Sequence, residues 1–313
     1  MTIMHLDSSV LWVLAGIYGI LFSASIIVWF LVKKKSRKHY EELIHRVQSW
    51  WCIVAVFSLN LLLSKSVSLF FLGCVSFLAL KEFFSVITVR RADRRVLFWA
   101  YLAIPLQFYF ISLEWYGMFI IFIPVYMFLF LPFRMVLIGD IKNFLQAAST
   151  IHWGLMAFVF SLSHMSYLLM LPKTADFTAG GAGLMVYIIF LAQFNDVLQY
   201  TWGKLFGKHP IIPKVSPNKT WEGFIGGVVT TTILALILSQ WLTPLSLPMA
   251  LIAGVLISVT GFIGDVTISA VKRDLGIKDS GSLLPGHGGI LDRIDSLIYS
   301  APLFFHFIYY FYY

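Results

Sequence analysis

The stretch LPMALIAGVLISVTGFIGDVTISA, residues 247–270, decides the fold class. It has 24 residues, and Asp265 is the only charged residue among them. A helix that crosses a bilayer needs about 20 predominantly apolar residues, so the stretch predicts a transmembrane helix. A carboxylate inside such a helix is costly, and it is therefore a candidate functional residue by default.

The composition of the whole chain also indicates a membrane protein. Of its 313 residues, 59% are hydrophobic and 12% are charged, whereas a soluble domain averages about 45–50% and about 25%. These proportions exclude a soluble fold, a disordered chain and a nucleic-acid-binding protein. We predict an all-α, polytopic integral membrane protein with about ten transmembrane helices, at roughly 10–32, 49–64, 66–89, 96–113, 115–133, 149–171, 179–201, 223–242, 247–270 and 294–313.

Basic residues are concentrated in alternate loops, which predicts the orientation. With the N-terminus outside, the cytoplasmic loops are 33–48, 90–95, 134–148, 202–222 and 271–293, and they hold 20 of the 23 Lys and Arg residues. Cytoplasmic loops of membrane proteins carry an excess of Lys and Arg. The net charge of +8 is therefore explained mainly by topology.

The two halves of the chain differ in their loops. We predict a single membrane domain over 1–313, in which 1–170 are membrane-embedding helices joined by short basic loops. Residues 180–313 are the predicted catalytic half, because the loops 202–222 and 271–293 are long and rich in Gly, Pro and mixed charge.

Two further carboxylates lie inside predicted spans. Glu82 directly follows Lys81, and a structural ion pair between them is the simpler explanation. Asp196 follows Asn195 near the predicted cytoplasmic end of its span, where it is a candidate site residue.

Asp265 is followed by polar and charged residues on the same predicted helix. Ser269, Lys272 and Arg273 follow at i+4, i+7 and i+8, a spacing that places all four side chains on one helical face. The simpler alternative is a basic helix end beside a solvated carboxylate.

The loop after this helix contains a second group of carboxylates. Gly286, Gly288 and Gly289 allow tight turns, and Asp292 and Asp295 follow where the last span begins. Carboxylates at a helix N-terminus are favoured by its dipole, which is the simpler explanation. Carboxylates on two helix ends among Lys and Arg also suit a Mg²⁺ that carries phosphates, since Mg²⁺ usually takes one or two carboxylates plus phosphate oxygens.

The other long loop carries basic residues among Gly, Pro and hydroxyl side chains. The runs 203–210 and 213–223 are a candidate polyphosphate cradle, although a positive cytoplasmic loop is expected in any case. The glycine spacing of a Walker A motif is absent.

These two loops carry a family resemblance. Residues 269–295 resemble the motif of the phosphatidate cytidylyltransferases (CDP-diacylglycerol synthases), and Ser216–Gly223 resembles the family's second motif. Asp196 and Tyr200 match the Asp–x–x–x–Tyr element that precedes it. Gln199 departs from the Ala that bacterial members commonly carry, and with Asn195 before Asp196 the chain resembles a divergent or eukaryote-like branch of the family, either the housekeeping enzyme or a divergent paralogue. The residues of the first motif are Ser269–Arg273, Lys278–Asp279, Gly281, Pro285, His287–Gly289 and Asp292–Asp295.

The resemblance implies a reaction and its participants. Family members join CTP to phosphatidic acid with the help of Mg²⁺, and a second metal ion is left open. It also implies a bacterial inner-membrane enzyme with a cytoplasmic active site, and a homodimer. The implied catalytic residues are Asp265, Lys272, Arg273, His287 and Asp292; the implied substrate-binding residues are Tyr200, Ser216, Lys219, Thr220, Lys278 and Arg293; the implied metal ligands are Asp196, Asp265, Asp292 and Asp295.

Three alternatives stay open at this point. A related CTP-dependent lipid enzyme would use another acceptor, such as an isoprenoid alcohol or an ether lipid. A transporter could use broken helices and membrane carboxylates, but it would not need the His287–Gly289 loop. A non-catalytic scaffold would leave Asp265 and Asp292 without a purpose.

Overall fold

The protein is built from long helices, which is what a bilayer requires of a backbone whose N–H and C=O groups must all be bonded internally. The computed structural model describes residues 6–34, 40–87, 90, 93–173, 177–277, 280–281 and 288–313. The helices are α1 (Ser8–Lys34), α2 (Glu41–Leu62), α3 (Lys65–Val86), α4 (Arg94–Ser112), α5 (Tyr116–Ile121), α6 (Phe128–Val136), α7 (Phe144–Leu155), α8 (Ser161–Met170), α9 (Gly180–Phe206), α10 (Trp221–Leu242), α11 (Leu247–Asp274) and α12 (Leu291–Tyr312).

Two pairs of these helices are continuous. The π-helical segment Phe122–Met127 joins α5 to α6, and Met156–Phe160 joins α7 to α8. With these joins, the described residues form ten long helices, one for each predicted span. Eight of them are long and apolar enough to cross a membrane; α2 and α12 are not counted among them, and both carry charged and polar side chains. The predicted all-α, polytopic membrane fold is confirmed.

Hydrogen bonds between segments at the helix ends agree with helices that alternate in direction. At one end, the Tyr313 hydroxyl donates to the Pro172 carbonyl at 2.9 Å, which joins the end of α12 to the segment after α8. At the other end, Arg90 Nη1 donates to the Asp140 carbonyl at 3.1 Å, which joins the segment before α4 to the segment after α6. This is the up-and-down order that the predicted spans require.

The loop between α9 and α10 differs from its prediction. Helix α9 continues to Phe206, and the rest of the loop contains an antiparallel hairpin of β1 (Pro210–Ile212) and β2 (Ser216–Thr220). These strands have only three and five residues, too few to give a periodic signal in the sequence. Thr220 ends β2 and caps α10 by accepting from the Gly223 amide at 3.2 Å, so Lys219 lies at the entrance to α10.

The last four helices pack closely in the membrane. The buried Asn195 of α9 donates to the Ser258 carbonyl of α11 at 3.2 Å, and it accepts from Thr231 of α10 at 3.2 Å. Where α11 crosses α12, a Cβ on Gly264 would collide with the backbone oxygen of Asp295. Small residues at helix contacts allow this approach.

The substitution Gly264→Ala tests this crossing. We expect it to destabilise the protein by about 1–3 kcal/mol, because overpacking forces backbone shifts and the colliding atom belongs to the backbone. Gly16→Ala in α1 is the matched control, since a Cβ there meets nothing within 4 Å. Thermal unfolding in detergent should give a lower midpoint for Gly264→Ala only; equal midpoints would contradict the close crossing.

Candidate functional site

An ion pair between Lys219 and Asp265 joins the hairpin to α11. Lys219 Nζ lies 2.5 Å from Asp265 Oδ2, and each side chain is 20% exposed. Lys219 Nζ also lies 5.7 Å from the ring centre of Phe262, and Ser269 Oγ donates to Asp265 Oδ1 at 3.4 Å. The predicted nucleotide-binding lysine and the predicted metal-binding aspartate are therefore direct partners.

The charge state of Lys219 follows from its surroundings. Burial disfavours the ammonium, but the Asp265 and Asp196 carboxylates outweigh burial and raise the pKa of Lys219. The side chain is therefore a cation at neutral pH, and it compensates carboxylates that would otherwise repel one another.

Two more predicted residues face this pair from neighbouring helices. Asp196 of α9 interacts electrostatically with Lys219 and Asp265, and Asp295 of α12 interacts with Asp265 and Asp196. Asp295 is buried and accepts from the Ser296 amide at 2.7 Å. The Oδ1 atom of Asp196 is buried, and no described residue forms a hydrogen bond with it. Helices α9, α11 and α12 thus bring three carboxylates to one lysine.

A second ion pair lies at the start of α12. Lys272 Nζ of α11 lies 2.6 Å from Asp292 Oδ1, and Asp292 Oδ2 accepts from Ser280 Oγ at 3.1 Å and from the Gly289 amide at 3.3 Å. Asp292 lies in the first turn of its helix, where a negative charge is favoured. The structure therefore pairs Asp292 with Lys272.

Arg273 holds the hairpin against α11. Its Nε donates to the Val215 carbonyl at 3.2 Å, and its Nη1 donates to the Ile277 carbonyl at 3.5 Å. The predicted role of Arg273 in phosphate binding stays a prediction, since these contacts are to backbone oxygens.

We expect Arg273→Ala to loosen the hairpin. The substitution removes the only side-chain donor that the described residues provide to the Val215 carbonyl, so cleavage within 207–216 should become faster in limited proteolysis. Lys204→Ala is the control, because Lys204 lies in α9 beside the Tyr200 ring at 5.9 Å. Equal cleavage rates in Arg273→Ala and the unsubstituted protein would show that the hairpin is held by other contacts.

In the part of the chain that the structure describes, the other predicted substrate-binding residues make no hydrogen bond or ion pair with Asp196, Asp265 or Asp295. Tyr200 is 62% exposed, Ser216 pairs with Ile212 in the hairpin, and the Thr220 hydroxyl caps α10. Arg293 interacts electrostatically with Asp196, and among the described residues its buried Nε has no hydrogen-bond partner. The predictions for Lys278 and His287 fall outside the described residues.

The implied Mg²⁺ can be compared with the donors present. Within the described ranges, no group of three or more His, Cys, Asp or Glu side chains is arranged to hold a metal ion. Mg²⁺ usually takes one or two carboxylates and completes its shell with water and phosphate. The buried Oδ1 of Asp196, which has no hydrogen-bond partner among the described residues, lies near Asp265, and the two carboxylates offer hard oxygen donors. These residues suit a Mg²⁺ whose remaining ligands are phosphate oxygens. They do not suit a site in which protein side chains supply every ligand.

Two acidic residues near the site differ from the sequence prediction. Glu222 was not predicted to have a role, and Glu82 was predicted to have another partner. Glu222 accepts from the Lys208 and His209 amides at 3.0 and 3.3 Å, and it pairs with His209 Nδ1 at 2.6 Å. An acidic residue in the first turn after a Thr cap is a signal that could have indicated this role. The hypothesis that Glu82 pairs with Lys81 is wrong: the Glu82 carboxylate accepts backbone N–H groups of 290 and 291.

Comparison with known proteins assigns the family. Residues 44–311 match the model of the cytidylyltransferase family. The chain is 46% identical over 297 residues to Escherichia coli K12 "Uncharacterized protein YnbB", covering 95% of this chain and 97% of that protein. It is 40% identical over 161 residues to a phosphatidate cytidylyltransferase of Mycobacterium leprae, covering 51% of this chain and 49% of that protein.

A third relative agrees with these two. A phosphatidate cytidylyltransferase of Haemophilus influenzae is 43% identical over 135 residues, covering 42% of this chain and 47% of that protein. The chain thus matches about half the length of each of these two named enzymes. The matches support a nucleotidyltransferase that uses CTP and a lipid acceptor in a membrane. The chain belongs to the cytidylyltransferase family.

Proposed function

We propose that this protein transfers a cytidylyl group from CTP to phosphatidic acid, giving CDP-diacylglycerol and pyrophosphate for phospholipid biosynthesis. The observation that carries the proposal is the Lys219–Asp265 ion pair with Asp196 and Asp295 around it. Mixed cations and carboxylates suit phosphoryl chemistry, in which catalysis is mainly positioning and charge stabilisation. The relatives named phosphatidate cytidylyltransferase support the choice of acceptor.

The proposed reaction needs no protein nucleophile. A phosphate oxygen of phosphatidic acid attacks the α-phosphorus of CTP and forms a new P–O bond. The bond between the α-phosphorus and the oxygen that bridges to the β-phosphorus breaks, and its electron pair leaves with pyrophosphate. Lys219 and Lys272 are placed to neutralise phosphate charge. Arg293 is a further cation, whose buried Nε has no hydrogen-bond partner within the described ranges.

We propose that Mg²⁺ assists at the same place. Asp265 and Asp196 would hold it together with phosphate oxygens, with Asp295 beside them. Asp265 would first have to exchange its Lys219 partner. A bound Mg²⁺ would neutralise phosphate charge during transfer. Asp292 stays a predicted ligand, and it would first have to exchange its Lys272 partner. The number of metal ions is left open.

The orientation and assembly are part of the proposal. We propose a bacterial inner-membrane protein with its N-terminus outside, because 20 of the 23 basic residues then lie on the cytoplasmic side. The carboxylates then face the compartment that contains CTP, and the anionic lipid approaches from the inner leaflet beside basic residues. The homodimer implied by the resemblance stays a prediction.

A panel of lipid acceptors tests the proposal. Purified protein in detergent receives CTP, Mg²⁺ and one acceptor at a time: phosphatidic acid, an isoprenoid alcohol or an ether-lipid analogue. We expect pyrophosphate release with phosphatidic acid and little with the others. Release only with another acceptor would favour a related CTP-dependent lipid enzyme, and no release with any of them would favour the transporter alternative.

A further inference from the structure

Glu82 connects the first half of the chain to the motif at residues 269–295. It lies near the end of α3, and its Oε2 accepts from the Ile290 amide at 2.9 Å while its Oε1 accepts from the Leu291 amide at 3.2 Å. Each carboxylate oxygen thus accepts one N–H group at the start of α12. The contact joins residues more than 200 positions apart in the sequence.

Three consecutive amides at this helix start are bound to carboxylates. The Gly289 amide donates to Asp292, and the next two amides donate to Glu82. The first N–H groups of a helix have no partner within the helix, and negative charge is favoured there. Because Asp292 also pairs with Lys272, the turn that carries Asp292 is held from both α3 and α11.

Two glycines of the motif at residues 269–295 lie directly against Glu82. A Cβ on Gly289 would collide with Glu82 Oε1, and a Cβ on Gly281 would lie 3.1 Å from Glu82 Oε2. Gly289 has no positive φ, so its backbone conformation does not demand glycine. A Cβ at this position would require both the Glu82 carboxylate and Ser280 Oγ to move, so the contact made by Glu82 is specific to glycine at 289.

We infer that Glu82 is a positioning residue for the transfer site: it fixes the turn 289–291 and thereby holds Asp292 opposite Lys272. The inference rests on the proposed cytidylyl transfer, and it gives the N-terminal half a part in the site beyond embedding it. Glu82 acts through backbone amides, so its contribution is to geometry. Some groups do not touch the substrate but orient the ligands and side chains that do. Removing such a group typically lowers activity about 10–100-fold.

Glu82→Gln and Glu82→Asp test this inference. The amide of Gln presents an N–H group to backbone N–H groups that need an acceptor, whereas Asp keeps both oxygens on a shorter side chain. We expect Glu82→Gln to lower kcat about 10–100-fold with little change in KM for CTP. Glu82→Asp should recover part of this loss. Hydrogen exchange in peptides that cover 288–292 should become faster in Glu82→Gln.

Leu80→Ala is the matched control for general destabilisation. Leu80 is fully buried in the same helix, two residues before Glu82 and therefore on the opposite side of it. At equal folded fraction, we expect this variant to keep the kcat and the exchange rate of the unsubstituted protein in 288–292. Equal kcat values in Glu82→Gln and Leu80→Ala would overturn the inference. An inactive unsubstituted protein would instead overturn the proposed function, so the two failures are distinguishable.

Discussion

Asp265→Asn is expected to abolish pyrophosphate release from CTP while the protein stays folded in detergent. The substitution keeps the shape of the side chain but removes the charge that faces Lys219 at 2.5 Å. It also removes the central carboxylate of the group that includes Asp196 and Asp295. Charge stabilisation is often the largest catalytic effect, and losing one such group typically costs about 10²–10³-fold in kcat; we expect a loss at or above this range.

Asp274→Asn is the control for this experiment. Asp274 is an exposed residue at the end of the same helix, and the same chemical change there should leave turnover near that of the unsubstituted protein. Folding is followed by size-exclusion chromatography and thermal unfolding. Full turnover in Asp265→Asn would remove Asp265 from the proposed metal and phosphate site.

Lys219→Met is expected to reduce kcat/KM for CTP by about 10²–10³-fold, a range typical for loss of one charge-stabilising group. Lys219 forms an ion pair with Asp265, and the Asp265 and Asp196 carboxylates raise its pKa. Methionine keeps much of the apolar stem but cannot neutralise a phosphate. Lys219→Arg should restore little, because a planar guanidinium does not replace a compact ammonium in a fitted site.

Lys214→Met is the matched control within the same hairpin. Lys214 is exposed and lies between β1 and β2, so its loss tests whether general basicity of the loop matters. We expect kcat/KM to change little in this variant. If Lys214→Met and Lys219→Met lost activity equally, the loop would act through its overall charge and the specific role of Lys219 would be wrong.

Much of the fold could be predicted because its signal is the apolar run itself. Each long run, such as 247–270, needs a helix to satisfy its backbone in a bilayer, and the ten predicted spans correspond to ten long helices. The ends are less accurate: the predicted span ends at 201, whereas α9 continues to Phe206, because Gly203 and Lys204 interrupt the apolar run without ending the helix. Helix termini are the least certain part of such predictions. The hairpin of β1 and β2 has too few residues to give a periodic signal.

The sequence motifs predict contacts within one helix, but they do not predict contacts between separate elements. The i+4 spacing correctly placed Ser269 beside Asp265, since local helix geometry determines such neighbours. Which charges pair across elements could not be predicted: Lys219 with Asp265 and Lys272 with Asp292 are tertiary contacts. The sequence suggests an ion pair between Glu82 and Lys81 because the two residues are adjacent in the chain. The partners of Glu82 in the structure are backbone amides at the start of α12.

The most direct test of the account is transfer of label from [α-³²P]CTP to phosphatidic acid by the purified protein. We predict a labelled lipid that migrates as CDP-diacylglycerol, formed in an amount equal to the pyrophosphate released and dependent on added Mg²⁺. Consumption of CTP without a labelled lipid, or labelling that does not require phosphatidic acid, would contradict the proposed reaction.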